Sequence, residues 1–188
     1  FFSTPFDNES VDFLAKLKVK LFKISSFDTS NFQLVDHIIS KKIPTIISTG
    51  LSSLKEIEKI TKKFKKNKVN SYLLHCISSY PTNEESSILS NIQFLKKKFN
   101  CEVGLSDHTN DIKTSIYSYL IGARIIEKHF KLSNKDRCVD AAVSITPSQM
   151  KSLSNELNRI PKILGKPKFG VRNVEKTALI FKRKKIYE

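Results

Sequence analysis

Two histidines, His108 and His129, stand 21 residues apart, and each has a carboxylate at hand: Asp107 precedes the first and Glu127 lies two before the second. Two imidazoles with open positions suit Mn²⁺, Fe²⁺, Co²⁺ or Zn²⁺, and the carboxylates could orient the rings or move protons. The same spacing fits two hydrogen-bonded histidines without a metal, so the pair alone leaves both readings open. A second group is cationic and hydroxylic: Lys23 with Thr4, Ser26, Ser48 and Ser106. Lysine supplies charge and hydroxyls supply donors for phosphate or carboxylate oxygens, which makes the set a candidate anion site. Each serine taken singly is equally a turn residue at the end of a strand. Tyr80-Pro81, just after His75-Cys76, is either a rigid loop over a ligand or an aromatic packed before a turn.

Residues so far apart need a scaffold that gathers them. Short apolar, β-branched runs predict strands at Phe1–Ser3, Leu21–Ser25, Thr45–Ser48, Ser71–His75, Glu102–Leu105 and Arg124–Glu127. Amphipathic periodicity between them predicts helices near Ser10–Leu17, Phe32–Lys41, Ser53–Lys66, Ser87–Phe99 and Asp111–Ile121, with a last one over Pro147–Leu164. Thr146 is its expected N-cap and Pro147 its first residue. Strand and helix alternating every 20–30 residues or so imply βα units around a parallel sheet. Every strand run ends in polar side chains, including Ser3-Thr4, Ser25-Ser26, Ser48-Thr49, His75 with Ser78 and Tyr80, Asp107-His108 and Lys128-His129. A (β/α)₈ TIM barrel brings such ends together at one mouth, whereas a doubly wound sheet collects them mainly at one switch point. Six units are two short of closure, the only methionine is Met150, and residue 1 is Phe. The expectation is therefore an incomplete barrel over residues 1–165, breaking at the Gly165-Lys166-Pro167 segment.

Composition narrows the partners. With 33 basic and 18 acidic side chains the formal charge is +15, carried by 28 Lys and 5 Arg. The lysines are spread over the predicted helices, and the guanidinium forks that read phosphate and guanine are scarce. A solvated lysine coat, not nucleic-acid binding, is the expectation, with a field that would favour a small anionic substrate. No apolar run reaches the ~18 residues of a membrane span, and the N-terminal residues lack a signal peptide's basic region. Cys76, Cys101 and Cys138 are odd in number and without CxxC spacing, as expected of reduced thiols in the cytoplasm.

Taken together, six strings resemble one family: Phe2-Ser3-Thr4-Pro5-Phe6-Asp7, Phe22-Lys23-Ile24-Ser25-Ser26, Ile47-Ser48-Thr49-Gly50, Leu74-His75-Cys76 with Ser78 and Tyr80-Pro81-Thr82, Gly104-Leu105-Ser106-Asp107-His108-Thr109, and Ile126-Glu127-Lys128-His129-Phe130. They are similar, in order and spacing, to the sialic acid synthase family, the phosphoenolpyruvate-dependent nonulosonic acid synthases. The resemblance implies a TIM barrel followed by a small antifreeze-like domain, in a homodimer where that domain caps the partner's site. It places this chain on barrel strands three to eight, with residues 166–188 as a linker and Phe181–Tyr187 as the entry to the following domain. It also implies that the piece alone is inactive.

The implied reaction joins phosphoenolpyruvate to the aldehyde of an N-acetylated amino sugar and releases phosphate, in cell-surface carbohydrate biosynthesis. On the resemblance, His108 and His129 are ligands of a divalent metal, Mn²⁺ or Mg²⁺. Thr4, Lys23, Ser26, Ser48, Ser78 and Ser106 hold phosphoenolpyruvate, and Tyr80 and Asp140 stand on the sugar side. Lys23 is the charge that matters, Glu127 the candidate for proton transfer, and Asp28 a further catalytic carboxylate, one methylene shorter than the Glu common there. Ser78 replaces an Asn of some members, and Val139 precedes Asp140 where Pro is usual. Ser26-Phe27-Asp28 and Asp140-Ala141-Ala142-Val143-Ser144 lean toward pseudaminic acid synthases, and Leu74-His75-Cys76 toward the sialic and legionaminic enzymes.

Overall fold

Most strands of this chain are buried, which is why apolar residues dominate them; the last, Ile126–Lys128, is only partly buried. The computed structural model describes residues 1–182. Five strands, β1 Phe22–Ile24, β2 Thr45–Ser48, β3 Ser71–Cys76, β4 Val103–Asp107 and β5 Ile126–Lys128, form one sheet in the order β1-β2-β3-β4-β5. All four pairings are parallel. Helices α1 Asn8–Lys16, α2 Phe32–Ser40, α3 Leu54–Lys66, α4 Ser90–Phe99, α5 Lys113–Leu120 and α6 Pro147–Leu164 complete the βα order. Neighbours in sequence are neighbours in the sheet, as in part of a barrel wall.

The first expected strand is reduced to a single bridge, Ser3 to Phe22, and the residues before it, Phe1 and Phe2, are exposed. A second bridge, Phe130 to Ile145, extends the other edge beyond β5. The remaining elements fall within a few residues of their expected places. The largest shift is at α4, which starts at Ser90 because a 3₁₀ turn over Glu84–Ser87 and a left-handed Ile88 occupy the preceding residues.

Helix α3 shows why the segments fold locally. Ser53 and Glu56 form a capping box, with Ser53 N–H donating to Glu56 Oε2 at 2.7 Å and Glu56 N–H to Ser53 Oγ at 3.3 Å. Ile57, Ile60 and Phe64 make the buried stripe, each contributing about 1.5–3 kcal/mol through burial. Lys63, Lys65 and Lys66 stand in the last turn, where the helix dipole favours cations. The lysine coat is thus compatible with the helices it decorates. At α6, Thr146 caps as expected, its N–H meeting Gln149 Oε1 at 2.9 Å ahead of Pro147.

The main core lies between the helices and the outer face of the sheet: Phe22, Ile24, Ile47, Leu73, Val103 and Leu105 meet Val35, Ile38, Ile60, Phe64 and Ile92. The inner face carries a different set, Lys23, Ile46, Ser48, Leu74, Cys76, Gly104, Ser106 and Glu127, as parallel register and a period of two require. Gly104 is there for want of space. A methyl at its Cβ position would lie 2.1 Å from the Ile125 carbonyl oxygen and 2.7 Å from Leu74 Cδ2. That oxygen already accepts from Leu105 N–H at 2.9 Å, so it cannot withdraw freely. Gly104→Ala is expected to destabilise the fold by about 3 kcal/mol, read as a lowered midpoint in urea unfolding.

Candidate active site

Where the strands end, the inner-face residues converge on one cavity of about 360 Å³. β1 and the turn after it contribute Lys23, Ser25, Ser26 and Phe27, and β2 contributes Ser48. Cys76 and Tyr80 come from β3 and its loop, Ser106 and His108 from β4, and Glu127 and His129 from β5, with Thr4 at the first bridge; Lys128 borders the cavity while its side chain is sealed against Asp107.

One side of the mouth is cationic and hydroxylic. Lys23 is only 6% exposed, and a buried ammonium must find partners. Its Nζ donates to Ser48 Oγ at 2.7 Å and lies 3.4 Å from Glu127 Oε1. Ser106 Oγ also donates to Glu127 Oε1, at 2.7 Å. Four residues on four strands thus form one polar chain across the floor. Beside it, Ser26 Oγ accepts the Gly50 N–H at 3.0 Å and reaches Cys76 Sγ at 3.6 Å, with Ser78 Oγ 3.9 Å from that sulfur. Gly50 has no room for a side chain: a Cβ would stand 2.4 Å from Ser78 Oγ and 2.8 Å from Ser26 Oγ.

The other side is imidazole. The His108 and His129 rings are 5.3 Å apart, and Tyr80 lies over His108 at 4.1 Å and edge-on to His129 at 5.7 Å. His108 Nδ1 is 2.7 Å from the Ile77 carbonyl oxygen, which can only accept. In the neutral ring the proton therefore sits on Nδ1, and the Nε2 lone pair, 3.4 Å from Ser106 Oγ, is turned to the mouth side, the arrangement found behind metal-bound histidines. His129 Nδ1 faces Asp140 Oδ2 at 3.5 Å, which orients the second ring alike. This donor set fits a divalent cation. Among the described residues no cluster of three or more His, Cys, Asp or Glu side chains forms a ready cage, so His108 and His129 would share the ion with water or substrate oxygens.

The protonation preferences follow from burial and neighbours. Burial works to lower His108, but contact with the Cys76 thiol, the Ile77 carbonyl and Glu127 overrides it and holds the ring above its usual value. Burial holds His129 below, against the pull of Asp140 and with His108 adding to the depression. Burial would raise the Cys76 thiol, yet hydrogen bonds with His108 and Ser26 outweigh it and keep the thiol below its ordinary value. Tyr80 is raised, chiefly by burial.

Of the residues expected from sequence, Thr4, Lys23, Ser26, Ser48, Tyr80, Ser106, His108, Glu127 and His129 share the wall of this cavity. Ser78 stands just behind it beside Cys76, and Asp140 reaches it through His129. Asp28 is set back from the wall, where its Oδ2 accepts from Ser25 Oγ at 2.6 Å, so that Ser25 and not the carboxylate meets the cavity. His75, expected among the polar strand ends, points the other way: its Nε2 is 2.6 Å from the Ser87 carbonyl oxygen in the helix layer. Cys76 and Phe27 join the wall without having been expected there, and Ser25 and Lys128, expected only as polar strand ends, border it as well. Cys76 was findable, being two residues after inward-facing Leu74 and so on the same face.

A parallel sheet in sequence order whose C-terminal strand ends build one polar mouth is part of a TIM-barrel wall. Within that fold class the chain belongs to the NeuB family, whose model matches residues 1–169. It is 37% identical over 180 residues to the N,N'-diacetyllegionaminic acid synthase of Campylobacter jejuni, covering 94% of this chain and 53% of that protein. The pseudaminic acid synthase of the same species is 38% identical over 171 residues, covering 90% and 50%. Among solved structures, the N-acetylneuraminic acid (sialic acid) synthetase of Leptospira borgpetersenii, in complex with citrate, superposes with a TM-score of 0.88 at 37% identity, over 96% of this chain and 64% of that one. The chain spans about half the length of the curated relatives it matches.

His75 yields a pH prediction. Burial depresses its pKa below the ordinary 6.5, with the Ser87 carbonyl only partly opposing this. The unfolded chain then binds the proton more readily, so stability contributed by neutral His75 is present above pH ~6.5 and is lost as the pH falls below it. Unfolding free energy measured from pH 7.5 to 5 should decline less steeply in His75→Gln than in the parent; equal slopes would show that this ring does not drive the decline.

Proposed function

We propose that the full-length protein containing this chain condenses phosphoenolpyruvate with the aldehyde of an open-chain N-acetylated amino sugar, releasing phosphate and forming a nonulosonic acid. The observation that carries the reading is a single cavity with a buried, serine-held lysine on one side and paired imidazoles on the other. Membership of the NeuB family, with relatives named as legionaminic and pseudaminic acid synthases, supports the substrate class. A transferase of this kind works as a homodimer in the reading we favour. Residues 166–182 are exposed throughout, which supports a connector toward a further domain. The expected entry to that domain, Phe181–Tyr187, lies outside the described residues from position 183 on. No helix among the described residues is long and apolar enough to cross a membrane.

Lys23, with Ser48, Thr4 and Ser26, binds the carboxylate and phosphate of phosphoenolpyruvate and spreads their charge. Tyr80 and Asp140 orient the sugar so that its aldehyde carbon stands next to carbon 3 of the enol. A divalent ion, Mn²⁺ or Mg²⁺, held by His108 and His129 supplies Lewis-acid polarisation of the aldehyde oxygen when bound. Carbon 3 forms the new C–C bond, water adds at carbon 2, and the bond from carbon 2 to the phosphate oxygen breaks to leave a ketone. The water provides both protons needed, one for the new hydroxyl and one that leaves with phosphate. Glu127, fixed by Lys23 and Ser106, is placed to take and return the first of them. Asp28 acts through Ser25, as the residue that fixes its hydroxyl.

The test is turnover by the full-length protein with phosphoenolpyruvate and a panel of N-acetylmannosamine and the two diacetamido-trideoxyhexoses. Phosphate release should require one of these acceptors, stop on chelation and return with Mn²⁺. His108→Ala should lose more than about 100-fold in kcat. Lys23→Met should lose about 100-fold or more in kcat/KM for phosphoenolpyruvate. Turnover of a phosphorylated sugar aldehyde, with none of the N-acetylated ones, would instead place the protein with other phosphoenolpyruvate-condensing barrels.

A further inference from the structure

The ends of β4 and β5 are paired residue by residue, and successive pairs face opposite ways. Ser106 is registered with Glu127 and Asp107 with Lys128. Ser106 donates to Glu127 on the mouth side. One step on, the Asp107 and Lys128 side chains meet on the reverse side, Nζ to Oδ1 at 3.2 Å. One further step returns to the mouth, where His108 and His129 lie ring to ring. The ion pair is sealed, with Lys128 and Asp107 side chains 1% and 0% exposed. No substrate in the mouth can touch it, yet it belongs to the same two chain segments that carry the imidazoles.

Its other contacts all tighten those segments. Asp107 Oδ1 accepts from Thr109 N–H at 2.8 Å and from Thr109 Oγ1 at 2.7 Å, holding the turn just past His108. Asp107 Oδ2 accepts from Ser115 Oγ at 2.5 Å, which ties the same carboxylate to α5. Lys128 Nζ donates to the Thr109 carbonyl and lies 3.4 Å from Thr109 Oγ1. The lysine next to His129 therefore grips the residue after His108. An isolated buried ion pair adds little to stability, because desolvation offsets the attraction, so its effect must be sought in geometry.

We propose that Asp107 and Lys128 form a positioning pair, which sets the separation of His108 and His129 from the reverse face of the strands. The proposal rests on the reading of those histidines as ligands of a divalent ion. Neither residue is catalytic, since neither side chain touches the space where substrates would sit. The pair acts as a clamp one residue behind each imidazole, and removing it lets the 107–112 turn and the end of β5 drift apart. The anion side, anchored on β1 and β2, should be spared.

The experiment is Mn²⁺ titration of the full-length protein freed of metal, following the free ion by electron paramagnetic resonance. The double variant D107N/K128M removes both charges at similar volume, and native circular dichroism confirms that it folds. Its Mn²⁺ dissociation constant is expected to rise about tenfold or more, and kcat should fall while KM for phosphoenolpyruvate stays within about twofold. Binding within about threefold of the parent would overturn the positioning role and leave the metal reading intact. A parent protein that binds no Mn²⁺ would overturn both. Should the double variant not fold, K128R decides. A guanidinium keeps the charge but is larger and planar, so in a sealed space it must alter the spacing between Asp107 and Thr109 that the compact ammonium sets. A weakening beyond about threefold supports the clamp, and unchanged affinity sinks it.

Discussion

The site depends on one constraint, that parallel strands hold neighbouring residues in register while alternate side chains face opposite sides of the sheet. Lys23, Ser48, Cys76, Ser106 and Glu127 meet because each is the last or nearly last inward residue of its strand. The same rule sends His75 and Asp107 outward, into hydrogen bonds with Ser87 and Ser115. Slipping any strand by one residue would exchange the two sets. A lysine would then enter the apolar helix layer, and an isoleucine or leucine would face the mouth. The large apolar side chains of the outer face, Phe22, Ile24, Ile47 and Leu73, therefore fix the register that the polar chain of the inner face needs.

This explains how far the sequence could be followed. The strands were legible as short apolar runs and the helices as amphipathic repeats, the last of them with Thr146 as its cap, so the βα order emerged within a few residues. Polar residues at the strand ends pointed to a common mouth, and Lys23, Ser48, Ser106, Glu127 and both histidines are indeed gathered there. Which way each one faces was less legible, because two adjacent polar residues at a strand end look alike in sequence although only one can point inward. His75 and Asp28 show the limit: the first is spent on the Ser87 carbonyl, the second on Ser25. Cys76 was passed over for the converse reason, since a lone cysteine inside an apolar run carries no signal until its face is known.

Net charge illustrates a similar distinction. The chain carries +15, yet most of its lysines stand exposed at the surface, where water screens each ammonium. Lys63 meets Asp36, Lys98 meets Glu58, and Lys59 lies 3.9 Å from the Phe32 ring, all at the surface. Such contacts are individually weak. Lys23 differs because its surroundings exclude water. Ser48, Glu127 and, at 3.5 Å, the Ile24 carbonyl oxygen surround the ammonium, so an arriving ligand takes the place of one of them. Location, not number, gives a lysine a role here.

The two sides of the mouth make demands that pull against each other. Glu127 must stay close to Lys23 to keep that ammonium partnered, but an anion arriving at Lys23 would meet the carboxylate's repulsion. The geometry reconciles them by giving Glu127 a second tether, the Ser106 hydroxyl at 2.7 Å, shorter than its 3.4 Å approach to Lys23. A ligand carboxylate or phosphate can therefore take over the ammonium while Glu127 remains held by Ser106, next to the imidazoles. In the proposed condensation this leaves the carboxylate between the two substrates, where a proton has to pass. The looser of its two contacts is then the one that binding would replace, so the pocket need not rearrange its strands in order to load.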